Sequence, residues 1–393
     1  MSENYLSIEH SHYKSAHFRH LLVKHEQVME AIHELPASVR VEQAGNSYEG
    51  RTIQLLTLGN GPVKVFLWSQ MHGDEPTATM ALFDLLNFLT ASDGNNTLRE
   101  AILNNCTLFI APMINPDGAA RFTRRNAQLL DINRDFHAQQ SPEGRILRQL
   151  RDKINPDFGF NLHDQTIQWS AGMTGKPASL SYLAPAYDEE LSINAVRESA
   201  MNVIAAINAD LQQLVPDHIG RFDDTYEPRA FGDNFQAAGT STILIESGGY
   251  PGDFEKQAVR KFVFFSILSG LKAIATKSYT QNNVLDYFAI PENRKKHCSI
   301  LLKNCRIKNY TVDLALLASI KTNEQSTAKE LIYTIDDLGD LSTLYGYETL
   351  DCNAYTLILT QEPELDKPAD LILLEGTDTI LSVENGHLTV KNF

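Results

Sequence analysis

Apolar and polar positions along this chain fall into short apolar runs separated by helical stripes. Val63 to Trp68 is an apolar run of strand length, ending at Ser69-Gln70-Met71-His72. Gly73-Asp74 then turn the chain, and Glu75-Pro76 open a helix with apolar positions at Met80, Leu82, Phe83, Leu85, Leu86 and Leu89. Cys106 to Pro112 is the next apolar strand, closed by the loop Asn115-Pro116-Asp117-Gly118. Strand, helix, strand predicts a βαβ unit and a largely parallel sheet. Upstream, Val39 to Leu58 predicts a hairpin turning at Gly45 to Gly50, and His17 to Leu35 an amphipathic helix with Phe18, Leu21, Leu22, Val28, Met29 and Ile32 on its stripe. Downstream come a helix at Pro142 to Ile154, a short strand at Asp157 to Asp164, and loop at Gln165 to Pro185. A helix at Asp188 to Val215, an irregular stretch at Arg221 to Gln236, a strand from Thr240 ending at Glu246 before glycines, and a helix at Ala258 to Ile274 complete this part.

The pattern changes after about Asn282. Leu301 to Ile320 and Leu331 to Leu373 carry short strand-like runs, and the end reads strand, strand, Asn385-Gly386 turn, strand. The expected organisation is an α/β domain over 1–280, with a mixed, largely parallel sheet flanked by helices and an N-terminal helical extension at 1–38. A small β-rich C-terminal domain follows at 281–393.

Composition narrows the function. The chain has 393 residues and a formal net charge of -15. That excess of acid argues against nucleic acid or anionic membrane as a partner. No apolar stretch is long enough to span a bilayer. The N-terminal sequence lacks the basic start and apolar core of a secretory signal, so a cytoplasmic location is expected. Four cysteines, Cys106, Cys298, Cys305 and Cys352, form no CxxC pair and read as thiols in a reducing compartment, with Cys298 and Cys305 as possible neighbours. Six histidines between His10 and His33 are irregularly spaced and read as a solvated helix face. The oligomeric state is not legible.

The candidate chemistry sits at strand ends. In open α/β sheets ligands bind beyond the carboxyl ends of the strands. His72 and Glu75, three residues apart at such an end, can hold one zinc ion from two sides. His163 ends a second strand in the same layout, which favours a metal over two structural histidines. Asp164 beside it is a candidate acceptor behind a ligand. Glu246 ends a third strand and projects into the same cleft. Four arginines fall within Arg121 to Arg134, after a strand end in an acidic chain. A guanidinium fork matches a carboxylate bidentately, so this stretch reads as an anion-recognition site.

Together these motifs resemble the zinc metallocarboxypeptidases of the carboxypeptidase A family, over about Gly45 to Ile274. The matching segments, in order, are GNSYEGR (Gly45 to Arg51), HGDE (His72 to Glu75), NPDG (Asn115 to Gly118), TRRN (Thr123 to Asn126), DINRDF (Asp131 to Phe136), His163 and Glu246. The resemblance implies one zinc ion on His72, Glu75 and His163, the two-histidine, one-glutamate set of that family. It implies Glu246 as general base, Arg124 as oxyanion partner, and Asn133 with Arg134 as the clamp for a substrate's free carboxylate. Two features depart from the pattern. Thr123 stands where the family has tryptophan, leaving Arg124 and Arg125 as rivals. The substrate-capping tyrosine is matched loosely by Tyr226, with Tyr250 as the alternative. Arg229 lies near the implied side-chain pocket and either selects an acidic side chain or pairs with Asp223, Asp224 or Glu227. The implied activity is removal of a C-terminal residue from peptides. A zinc amidase or deacylase on cell-wall peptides or N-acyl amino acids would use the same centre. A peptide-binding module without catalysis would need a missing ligand or base, and none is missing.

Overall fold

The structure is a computed structural model that describes residues 5–323 and 328–393. Residues 1–4 of the expected N-terminal extension lie outside the described residues. The chain divides into two units. The larger comprises Met1–Thr166 and Ala178–Asn293, the smaller Ile167–Pro177 and Arg294–Phe393.

In chain order, the larger unit begins with α1 (His25–His33), β1 (Arg40–Asn46), β2 (Thr52–Leu58), β3 (Val63–Ser69) and α2 (Thr77–Thr90). Next are α3 (Asn96–Asn105), β4 (Cys106–Ala111), α4 (Pro116–Arg121), α5 (Pro142–Ile154) and β5 (Phe158–Asp164). β6 (Trp169–Ala171) belongs to the smaller unit. Then follow β7 (Leu180–Leu183), α6 (Ala195–Leu211), β8 (Ile219–Arg221), α7 (Phe231–Ala237), β9 (Ser241–Ser247), α8 (Gln257–Thr276) and α9 (Val284–Phe288). Its 8-stranded sheet has the order β1-β2-β4-β3-β5-β9-β7-β8. The centre, β4-β3-β5-β9, is parallel. β2 joins it antiparallel beside β4, with β1 antiparallel to β2 at the edge; β7 joins it antiparallel beside β9, and β8 lies parallel to β7. The sheet is mixed with a parallel core, as expected.

Alternation on the strands builds the core. Phe66 and Trp68 of β3, with Ile53 and Leu55 of β2, pack with Leu147 and Leu150 of α5 and Phe231 and Phe235 of α7. On the other side α2, α6 and α8 pack together and reach β5 and β9. α8 is buried almost throughout, consistent with its nearly continuous apolar sequence.

Several elements depart from the sequence reading. The first helix covers only His25–His33, because residues 15–23 run as an anchored strap. Arg260, fully buried, donates to the carbonyls of Ser15 (3.1 Å) and Phe18 (2.5 Å) and to Asp84 (2.5 and 2.7 Å). Phe18, Leu21 and Val23 are buried, but as strap anchors rather than a helical stripe. The histidines here are not all solvated: His10 is buried 2.8 Å from Asp84. The stretch 165–185 contains β7, a strand of the main sheet, and 221–236 contains most of α7. The long helix starts at Ala195, not near Asp188, because buried Arg197 holds residues 184–192 as loop through the carbonyls of Ala184, Leu191 and Ser192. The 280/281 boundary also shifts. Residues 281–293 stay with the larger unit, where Tyr287 is buried and accepts from the Ala184 amide (3.3 Å).

β10 (Asn293–Lys295) starts on the last residue of the larger unit, and the smaller unit carries β11 (His297–Ile307), β12 (Tyr310–Thr322), β13 (Lys329–Gly339), β14 (Tyr345–Asp351), β15 (Thr356–Leu359), β16 (Leu371–Glu375), β17 (Asp378–Glu384) and β18 (His387–Lys391). A second 8-stranded sheet runs β14-β11-β12-β13-β18-β17-β16-β15, antiparallel except for β11 with β14. The predicted Asn385-Gly386 turn joins β17 to β18, with both residues at positive φ. Cys298 and Cys305 share β11 but lie in different apolar clusters, so they are not the neighbours their spacing suggested.

Candidate metal centre and active site

The carboxyl ends of β3, β5 and β9 lie side by side, in registers that pair Ser69 with Leu162 and His163 with Glu246. After β3 the chain reverses at Gln70, in the left-handed region (φ 50). The Gln70 amide holds the turn by donating to the Gly73 carbonyl (2.9 Å) and accepting from Thr79 (2.9 Å). A Cβ on Gly73 would come within 2.0 Å of the Gly118 carbonyl carbon, so only glycine lets the His72 turn rest on α4. The Asn115 side chain completes this contact. It accepts from the Gly118 amide (2.8 Å) and donates to the Met71 carbonyl (3.2 Å). The HGDE and NPDG segments are thus two halves of one close approach.

That turn aims two side chains at a third. Nδ1 of His72 lies 2.8 Å from one Glu75 carboxylate oxygen, and Nδ1 of His163 lies 2.7 Å from the other. One ligand-type atom from each of the three residues falls within 4.8 Å of the others, and all three residues are buried. Nε2 of His72 faces Asp131 at 3.2 Å. A proton on Nε2 donated to Asp131 leaves the Nδ1 lone pair directed at Glu75, the orientation a metal ligand needs. Arg124 edges the cluster. Its guanidinium lies 3.1 Å from His72 Nδ1, 3.4 Å from Glu75 and 3.0 Å from Asp131. Arg125 instead donates to the Leu129 carbonyl (2.9 Å), so Arg124 alone of the two rivals reaches the cluster.

The electrostatics suit a cation. Glu75 is buried, yet the two imidazoles outweigh its desolvation and hold its carboxyl well below the usual range. Burial works against a charged His72, but the Glu75 charge and hydrogen bonds to Asp131 and Glu75 raise it to about 9. His163 is shifted the other way, downward, chiefly by burial. The two directions describe one arrangement: a single proton on the His72 side balances the Glu75 carboxylate. Glu246, desolvated and near Glu75 and Asp164, is pushed well above the ordinary glutamate value, and its Oε2 is buried with no hydrogen-bond partner.

The remaining candidates divide. Asn133 accepts the Phe231 amide proton (3.0 Å), fixing the start of α7. Arg134 lies 3.1 Å from Glu227 and donates to the Asn133 carbonyl (2.8 Å). Arg229 is exposed and forked onto Glu227 (2.9 and 2.8 Å), the pairing alternative of its two readings. Tyr226 is half-buried, and burial raises its hydroxyl pKa, with further contributions from Asp233, Glu189 and Asp188. Tyr250 packs its ring between His218 and Phe262. Asp164 is not an acceptor behind His163. Its carboxylate takes Lys256 Nζ (3.0 Å) and Thr77 Oγ1 (2.5 Å), while its backbone amide donates to Glu75 (3.2 Å). Sequence reasoning missed Asp131 and Lys256. Asp131 opens the DINRDF segment, already prominent for Asn133 and Arg134, whereas nothing around Lys256 distinguishes it from a surface lysine.

Comparison with known proteins bears on this geometry. Residues 25–188 match the family model described as zinc carboxypeptidase. Over that span the chain is similar to the zinc carboxypeptidases. The chain is 32% identical over 162 residues to an uncharacterised protein of Zymomonas mobilis, covering 38% of this chain and 42% of that one. It is 27% identical over 185 residues to carboxypeptidase B of Astacus astacus, covering 45% of this chain and 54% of that one. The chain therefore spans about half the length of these relatives. Among solved structures, a metallo-carboxypeptidase from Burkholderia cenocepacia superposes with a TM-score of 0.50 at 21% identity, over 66% of this chain and 69% of the other, which shows a shared fold. The matched span contains His72, Glu75, Arg124, Asn133, Arg134 and His163, while Tyr226 and Glu246 lie beyond it. The family is zinc-dependent, and the residues here fit the ion. Two imidazoles and a carboxylate are zinc donors, and among the described residues they converge without a further protein ligand that would close the site to substrate.

Proposed function

We propose that this chain is a zinc-dependent exopeptidase that hydrolyses the C-terminal amide bond of peptides. The convergence of His72, Glu75 and His163, with Glu246 in register beside His163, carries the reading. Zinc held there supplies a Lewis acid and lowers the pKa of water. Glu246 accepts a proton from the attacking water and passes it to the leaving amine, a role suited to a carboxylate whose proton affinity burial has raised. Arg124 donates to the oxyanion as the carbonyl becomes tetrahedral; one such donor typically contributes roughly 10²–10³ in rate. Asn133 and Arg134 take the substrate's terminal carboxylate, fixing the scissile amide one residue in. Tyr226 closes over the bound residue. Arg229, already forked onto Glu227, leaves the side-chain preference to other groups.

The test pairs a variant with a substrate change. Glu246→Gln should retain zinc, measured by elemental analysis, and lose at least about a hundredfold in kcat. An N-blocked dipeptide with a free C-terminus should be cleaved, and its C-terminal amide should not. Unchanged turnover in the zinc-loaded variant would remove Glu246 from the mechanism. Equal cleavage of both substrates would remove the carboxylate clamp. Faster cleavage of N-acyl amino acids than of peptides would move the reading to the deacylase alternative.

A further inference from the structure

One pair of nucleophilic side chains lies outside the cleft. Cys305 and Cys352, in the smaller unit, bring their sulfurs to 3.2 Å. Both are buried in one apolar cluster with Leu302, Leu350 and Leu373. The local chain accounts for the approach. β11 and β14 run parallel in a register that pairs Lys303 with Asp351. The pairing of β11 with β12 then shifts between Leu302 and Cys305, and Asn304 takes a left-handed conformation (φ 56). Such a bulge re-aims the side chain that follows it. Asp351 secures both flanks, accepting from the Asn304 side chain (2.9 Å) and the Asn353 amide (3.0 Å). The flanking backbone is held by these contacts, and the sulfurs have to close from 3.2 Å to the bonding distance of about 2.0 Å. Cys298 Sγ is instead directed at the Tyr345 carbonyl (3.7 Å).

We propose that Cys305 and Cys352 form a redox pair that closes to an intrachain disulfide, stapling β11 to the turn after β14. A low-molecular-weight disulfide such as oxidised glutathione serves as oxidant. One cysteine thiolate attacks a glutathione sulfur, forming a mixed disulfide and expelling one glutathione thiolate. The second cysteine thiolate attacks the protein sulfur of that bond and expels the other. Two protein thiols become one S–S bond, the oxidant is reduced to two thiols, and the two protons pass to them. Because both sulfurs are buried, exchange occurs during folding or local opening. The bond closes a long loop and acts mainly by restricting the unfolded chain.

The full-length protein is unfolded and refolded with oxidised glutathione, then alkylated, digested without reductant and mapped by mass spectrometry. The expected product is a Cys305–Cys352 cross-linked peptide two hydrogens lighter than its parts. The smaller unit's melting temperature should rise by more than about 5 °C over the reduced protein. Cys352→Ser should abolish both, and the mapping of the parent chain stands even if that variant folds poorly. Recovery of both peptides singly alkylated, or linkage of Cys305 to Cys298 or Cys106, overturns the pair. A cross-link that leaves melting unchanged overturns the staple.

Discussion

Asp131 supports two members of the cluster at once, and its replacement separates their contributions. Its carboxylate receives His72 Nε2 at 3.2 Å and Arg124 at 3.0 Å and 3.1 Å. Asparagine preserves the shape but offers one acceptor oxygen. Oriented to His72, that oxygen keeps the imidazole in place, and the amide NH₂ then faces the guanidinium, donor against donor. Alanine loses both contacts. Removing a partner behind a ligating histidine typically weakens metal affinity about 10- to 100-fold, or about 1.4–2.8 kcal/mol. Asp131→Asn should therefore fall at the low end and Asp131→Ala at the high end. Competition with a chromogenic zinc chelator measures the constants, and melting at fixed free zinc checks them independently. A tenfold loss of affinity removes about 1.4 kcal/mol of zinc-linked stability when zinc is in excess. If both variants hold zinc within twofold of the parent, Asp131 does not orient His72 and the account of the site's outer layer fails.

Other consequences are as direct. Asp84→Ala leaves Arg260 buried without its carboxylate, which should cost about 3–5 kcal/mol in denaturant unfolding; a loss under about 1 kcal/mol would mean the strap at 15–23 is not held by this pair. Gly73→Ala forces the His72 turn off α4, so zinc content should fall sharply while the far-ultraviolet spectrum stays near the parent's; full zinc content would contradict the close approach. With His72 raised to about 9 in the zinc-free protein, zinc must displace its proton at neutral pH. Affinity should climb with pH, by up to about tenfold per unit, and level off above that value. Proton uptake is not expected, and a pH-stat recording no release at neutral pH would refute the shared proton.

The sequence made the site more legible than the fold around it. His72 and His163 could be read because each ends an apolar strand, and strand ends are local features. Their meeting on Glu75 depends on the parallel order β3-β5-β9; the one βαβ unit read from the sequence implied a parallel sheet but not this order. The strap at 15–23 was not legible. Its apolar spacing mimics a helix, and what overrides that pattern is Arg260, more than two hundred residues away, taking its carbonyls. β7 was missed for a similar reason: four residues among serines and prolines give little periodicity, and only the neighbouring β9 makes them a strand. Arg229 had two readings that differ only in side-chain direction, and the carboxylate two residues away decides it.

The division of labour among the carboxylates follows from where their compensating charges come from. Asp164 and Glu246 stand at adjacent strand ends, and desolvation acts on both. Asp164 is answered from within the chain, by Lys256 at 3.0 Å and Thr77 at 2.5 Å. Among the described residues Glu246 Oε2 has no hydrogen-bond partner; Lys256 and His72 lower its proton affinity only through their charge, while burial and the negative charges of Glu75 and Asp164 raise it. In the proposed enzyme, a divalent cation on Glu75 reverses the sign of that neighbouring charge, so Glu246 gives up its proton more readily when the site is loaded. The base then sheds its proton more easily when the water it must deprotonate has been activated than when the site is empty. A lysine reaching Glu246 as Lys256 reaches Asp164 would hold it ionised at all times, with a lower proton affinity and a weaker base. Its unpartnered carboxylate oxygen is therefore consistent with catalysis rather than a packing defect.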